Sequence, residues 1–148
     1  MRRLESYLAA KGRRVGVWDE SLEDALSTNA VIFCWRGGDV ARRAAEKGYD
    51  VVLCPEEYCY FDFPQGLADD PHAYHPRGGR AFQPLTVEKV RSFDPLAGIP
   101  AACRNRILGA QANNWTELTL DEPTLAWKLW PRATALAEVL LTKGGVSR

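Results

Sequence analysis

Trp115 and Glu117 stand two residues apart behind a short apolar run, Ile107-Leu108-Gly109-Ala110. Tyr60 and Asp62 repeat that spacing, and Trp18 directly precedes the acid pair Asp19-Glu20. If the stretch from Ile107 to Trp115 is a strand, residues i and i+2 point the same way, so Trp115 and Glu117 face one spot. A flat aromatic wall beside a carboxylate suits a sugar ring, which has apolar C–H faces and a rim of hydroxyl donors. The chemistry suggested is carbohydrate recognition.

These residues must be held by elements of regular spacing. Val15 to Trp18, Ala30 to Trp35 and Tyr49 to Cys54 read as strands, the last two apolar apart from Asp50, as in parallel strands buried on both faces. Residues 2–10 place Leu4, Tyr7 and Leu8 on one helical face. Ser21-Leu-Glu-Asp24 has a capping-box pattern, with a short helix expected to about Leu26. A helix from Asp39 to Lys47 follows Gly37-Gly38, and Thr86 caps a further turn. Pro123 opens a last helix whose apolar residues run Leu125, Leu129, Ala133, Leu136 and Leu140. The β-α alternation implies an α/β fold with parallel strands and helices outside. Trp18, Trp35, the Tyr60–Asp62 region and Trp115–Glu117 then all fall at C-terminal strand ends, the functional face of a (β/α) barrel. From Pro55 to about Pro100 the pattern breaks down, with Pro, Gly, Asp and His clustered between 64 and 84, and a loop that long is usually functional.

The chain has 148 residues, enough for one domain with a core. Lys plus Arg and Asp plus Glu both number 19, which leaves no overall field to attract nucleic acid or an anionic membrane. No apolar run nears the roughly 20 residues that span a bilayer. The opening Met-Arg-Arg-Leu-Glu-Ser lacks a signal-peptide core, so a cytoplasmic chain is expected as expressed. Cys34, Cys54, Cys59 and Cys103 form no CxxC pair, and His72 and His75 lie apart from them; free, mostly buried thiols are expected, with no metal and no cofactor. Trp127 and Trp130 fall on the last helix and read as packing residues, and Asp121-Glu122 as charge at its N-terminus.

In order along the chain, Gly16-Val17-Trp18-Asp19-Glu20, Trp35-Arg36-Gly37, Tyr60-Phe61-Asp62, Ser92-Phe93-Asp94-Pro95, Ile107 to Gln111 with Trp115-Thr116-Glu117, and Trp130-Pro131-Arg132 with Ala137-Glu138 resemble glycoside hydrolase family 20, the β-N-acetylhexosaminidases. The resemblance covers almost the whole chain. It implies one partial catalytic domain, residues 1–148, forming roughly half of a TIM-type (β/α)8 barrel, strands five to eight. It also implies substrate-assisted hydrolysis, in which the 2-acetamido oxygen of the sugar attacks the anomeric carbon. On that resemblance Trp18, Trp35 and Trp115 box the acetamido group, Tyr60 donates to its carbonyl oxygen, and Asp62 and Glu117 accept from ring hydroxyls. The implied ligands are N-acetylhexosamine-terminated glycans. The family's His-x-Gly-Gly-Asp-Glu run, which supplies the general acid, is absent from these residues, and Asp19-Glu20 reads as the family's Trp-Asp-Glu element instead. The isolated chain is therefore expected to be nearly inactive; the alternative is a non-catalytic binding or structural half-barrel. Four strands of a barrel leave two open edges, so self-association or pairing with a complementary half-barrel is expected.

Overall fold

The computed structural model describes residues 2–24, 26–66 and 84–143. Its centre is a four-stranded parallel sheet in sequence order, β1 (Gly16–Trp18), β2 (Val31–Cys34), β3 (Asp50–Leu53) and β4 (Ile107–Ala110). Val17 pairs with Ile32 and Ile32 with Val51, while a bulge between Val51 and Val52 places Gly109 opposite Val52. This register sorts the side chains by face. Val17, Ile32, Cys34, Val51 and Leu53 are buried, whereas their neighbours Trp18, Val31, Phe33 and Val52 keep partial exposure. The two-residue alternation of the pleat thus separates a covered face from a partly open one.

Helix α1 (Arg2–Ala9) has no buried residue and stays at the margin. Helix α2 (Gly38–Glu46) packs on β2 and β3. Its buried positions are Ala41, Ala44 and Ala45, whose small side chains permit a close approach. The turn into it needs Gly37, whose φ of 104° is a conformation that L side chains rarely adopt. Two short helices follow, α3 (Glu56–Cys59) and α4 (Val87–Arg91), with Thr86 accepting from the Lys89 amide at 3.2 Å as the expected cap of α4. Helix α4 packs on α6 (Arg132–Lys143).

Three local expectations are corrected. Ser21 does not cap a helix: residues Asp19–Glu23 form a 3-10 turn that starts directly at the end of β1, because the Asp19 side chain is drawn to the end of β2. The fourth strand stops at Ala110, five residues before Trp115. Beyond it the chain still pairs with its neighbour, through Asn113 N–H to Cys59 O at 2.8 Å and Phe61 N–H to Asn113 O at 2.7 Å. Trp115 then leads into a 3-10 turn, Thr116–Leu118, so the strand rule does not relate Trp115 to Glu117. The single last helix is in fact two, α5 (Glu122–Leu129) and α6, broken at the cis Trp130-Pro131 bond. Pro131 lacks an N–H and disfavours helical backbone at the residue before it, and Trp130 is extended at φ −102°, ψ 137°. Asp121 does more than add charge: it caps α5, accepting from the Thr124 amide at 2.8 Å.

The four cysteines are free, three of them buried. His72, His75 and most of the stretch from 64 to 84 lie outside the described residues. Among the described residues no helix is long and apolar enough to cross a membrane.

Candidate active site

The indoles of Trp18 and Trp35 at the ends of β1 and β2, that of Trp115 beyond β4, and the phenol of Tyr60 form one continuous aromatic group. Ring centroids are 5.8 Å apart for Trp18 and Trp115, 6.2 Å for Trp115 and Tyr60, and 6.4 Å for Tyr60 and Trp35. Interplanar angles of 50°, 59° and 34° set the rings at a tilt to one another rather than in a flat stack. Trp18 is 37% and Trp115 41% exposed, which is high for the largest side chain in a folded domain. Behind Trp18 the ring of Phe33 meets it edge-on at 5.7 Å. Phe33 fits there only because residue 16 is glycine: a Cβ on Gly16 would lie 2.8 Å from the Phe33 ring.

Tyr60 enters at the C-terminal end of α3, where its backbone bridges in parallel to Asn113. Burial, helped by nearby Cys54, pushes its hydroxyl up to about 12, although a hydrogen bond from the Trp115 side chain works the other way. The phenol therefore keeps its proton through the neutral range and can donate.

Asp62 is brought to the same corner. Burial raises its carboxyl above the usual range; its own amide, the positive charge of Lys128 and the Trp115 amide counter that, and Glu117 adds repulsion. One of its oxygens, Oδ1, is buried without a hydrogen-bond partner. A carboxylate oxygen in that condition is an acceptor in need of a donor. Glu117 itself is exposed at the rim. Asp62, Trp115 and Glu117 thus converge through the turn after β4, not through a shared strand face.

Four residues bear on the site through contacts that the sequence did not assign to them, and one of them, Lys128, was not singled out at all. Asp19, fully buried, accepts from the amides of Trp35 and Arg36 at 3.1 Å each and from Arg36 Nε at 2.8 Å. Glu20 Oε1 accepts from Trp35 Nε1 at 2.9 Å. Lys128, fully buried, reaches Thr119 Oγ1 at 3.4 Å and attracts Asp62. Arg132, also fully buried, donates to the carbonyls of Phe61, Phe63, Leu85 and Lys128. The Trp-Asp-Glu and Trp-Pro-Arg runs were the available signals for three of these, whereas nothing local marks Lys128. Trp130 is 58% exposed and so is not the packing residue expected of it; Trp127 is half-buried. Among the described residues no cluster of His, Cys, Asp and Glu is arranged to hold a metal.

The sequence profile of the glycosyl hydrolase family 20 catalytic domain matches residues 1–143. The chain belongs to this family. It is 32% identical over 140 residues to a β-hexosaminidase of Vibrio furnissii, covering 93% of this chain and 22% of that protein. It is 34% identical over 144 residues to one of Porphyromonas gingivalis, covering 96% of this chain and 18% of that protein. Among solved structures it superposes with a TM-score of 0.77 on the family 20 exo-β-N-acetylglucosaminidase of Vibrio harveyi in complex with N-acetylglucosamine, at 33% identity, over 91% of this chain and 21% of that one. The family 20 β-N-acetylhexosaminidase of Streptomyces coelicolor gives 0.75 at 26% identity, over 94% and 28%. The chain therefore spans about a fifth of the length of these two relatives. Its parallel β/α units form part of a TIM-type (β/α)8 barrel.

Proposed function

We propose that residues 1–148 make up one partial catalytic domain carrying the acetamide-recognising side of a family 20 site, and that it recognises terminal N-acetylhexosamine. The observation that carries this reading is the contiguous group Trp18, Trp115, Tyr60 and Trp35, with centroid spacings of 5.8, 6.2 and 6.4 Å. Indole walls of this kind exclude water from an acetamido group and hold its oxygen near the anomeric carbon. Such positioning can be worth about 7–11 kcal/mol of barrier in an intramolecular reaction. Tyr60 donates to the acetamido oxygen. The unpartnered oxygen of Asp62 accepts from one ring hydroxyl, and Glu117 at the rim accepts from another.

Cleavage needs a general acid, and these residues contain no His-x-Gly-Gly-Asp-Glu run. Positioned proton transfer contributes roughly 10²–10⁴-fold, so this chain by itself binds far better than it turns over. In combination with the groups that complete a family 20 site, the reaction is substrate-assisted hydrolysis of N-acetylhexosamine-terminated glycans. The absent acid favours the binding reading for the chain on its own.

The test is a tryptophan-fluorescence titration with a thiazoline derived from N-acetylglucosamine, alongside an aryl N-acetyl-β-glucosaminide turnover assay. Quenching by the thiazoline with near-zero turnover is expected. Tyr60→Phe should weaken binding by about 0.5–1.5 kcal/mol, the worth of one neutral hydrogen bond. Equal quenching by glucose would contradict acetamide recognition. Turnover abolished by Glu20→Gln but surviving Glu117→Gln would make Asp19-Glu20 a working acid pair.

A further inference from the structure

Trp35 carries a side-chain hydrogen bond through its indole N–H to Glu20. It faces Tyr60, and beside it opens a cavity of about 310 Å³ lined by Trp35, Arg36, Gly37, Pro55, Glu56 and Glu57. The ring packs against the core on one side and borders this open pocket on the other, so packing atoms hold it from one side only. On the open side the ring is fixed by the acid pair that follows β1. Glu20 Oε1 accepts the indole N–H at 2.9 Å, a bond from the ring's only donor to an ionised acceptor. One residue earlier, Asp19 Oδ2 takes the backbone amides of Trp35 and Arg36, and Asp19 Oδ1 takes Arg36 Nε. The Arg36 guanidinium compensates the buried charge of Asp19. Four bonds thus run from residues 19–20 to residues 35–36, and three of them fix backbone and guanidinium whereas one fixes a ring.

We propose that Glu20 is a positioning residue that locks the rotation of Trp35 so that its face is presented to the bound acetamido group, with Asp19 fixing the backbone from which that ring hangs. The functional consequence rests on the acetamide-box reading above; the lock itself does not. Because Glu20 is exposed, it can be removed without opening the core, which separates its role from that of buried Asp19.

The experiment uses the full 148-residue chain, whose five tryptophans give five indole N–H resonances. Trp35→Phe identifies that of Trp35. In Glu20→Ala the Trp35 resonance is expected to move to a position typical of an unbonded indole while those of Trp18 and Trp115 hold. Thiazoline affinity should fall roughly tenfold, the equilibrium worth of one hydrogen bond to a charged group. Glu20→Gln, which keeps an acceptor oxygen at the same reach, should restore most of both. A Trp35 resonance unmoved in Glu20→Ala overturns the lock, whatever the ligand does. A moved resonance with unchanged affinity overturns the link to the acetamide. Failure of the wild-type chain to bind thiazoline while the resonance moves leaves the lock standing and sinks the acetamide reading instead.

Discussion

Arg132 ties the site to the last helices, and replacing it with methionine is the sharpest structural perturbation available. Nε donates to Lys128 O at 3.0 Å, Nη1 to Phe63 O at 2.9 Å and Leu85 O at 3.1 Å, and Nη2 to Phe61 O at 2.6 Å and again to Lys128 O. The guanidinium also lies 4.9 Å from the centroid of the Phe61 ring. Phe61 and Phe63 flank Asp62, so the same fork that joins α5 to α6 fixes the backbone presenting that carboxylate. Methionine fills the stem volume and leaves four carbonyls without their donor. A buried acceptor left unpaired costs about 1–3 kcal/mol. If water reaches half of the four, the other two cost about 4 kcal/mol together, and the relief of no longer burying a cation trims that to about 3 kcal/mol, against a total stability of about 5–15 kcal/mol. At roughly 2–4 °C per kcal/mol for a chain of this size, the thermal midpoint should fall by about 10 °C. Arg132→Lys, which keeps the charge but reaches fewer carbonyls, should lose less. Far-UV circular dichroism on heating at pH 7 measures both. A methionine variant melting within about 2 °C of wild type would refute the reasoning.

Further outcomes follow from the charged and open parts of the site. Burial raises the Asp62 carboxyl, so its contribution to stability is present below the unfolded value of 3.8 and is lost as pH rises through the folded one. Asp62→Asn should therefore melt higher than wild type at pH 7, with the difference vanishing in acid, yet bind thiazoline more weakly; a lower midpoint at pH 7 would count against it. Burial also pushes Tyr60 and Cys54 up to about 12 and raises Cys34 and Cys59. The folded chain then keeps protons that the unfolded chain releases from about pH 9 upward, so stability should be full below that and decline as pH rises toward 12. A urea midpoint unchanged between pH 8 and 10.5 would oppose this. The partly exposed face carrying Trp18, Phe33 and Val52, with β1 and β4 at the sheet's edges among the described residues, should make the chain self-associate. Sedimentation at micromolar concentration is expected to show a dimer or larger; a compact, cooperatively folding monomer would exclude that.

Strands and their order were legible because apolar runs such as Ala30 to Trp35 and Tyr49 to Cys54 are too short for buried helices and are separated by helical spacing. Trp18 and Trp35 at the ends of β1 and β2 were legible for the same reason. What failed were places where two local signals conflict. The stripe Leu125, Leu129, Ala133, Leu136, Leu140 keeps helical spacing straight across Pro131, and the proline prevailed because it removes a donor and forces extended backbone before it. The run from Ile107 continued on paper to Trp115, but after Ala110 the chain pairs with residues 59–61 and turns, so Trp115 and Glu117 reach Asp62 from a turn. Invisible altogether were bonds spanning long separations. Glu20 meets a ring 15 residues away, and Arg132 meets carbonyls 47 to 71 residues away. Side chains of those types carry no local mark of where their partners will be.

The acetamide box is tested most directly by saturation-transfer NMR of N-acetylglucosamine in the presence of the chain. With the acetamido group enclosed by Trp18, Trp35, Tyr60 and Trp115, its methyl protons should receive the strongest saturation of any in the sugar, and Trp115→Ala should abolish that preference. Saturation spread evenly over the ring protons, or a signal from glucose equal to that from N-acetylglucosamine, would contradict the assignment.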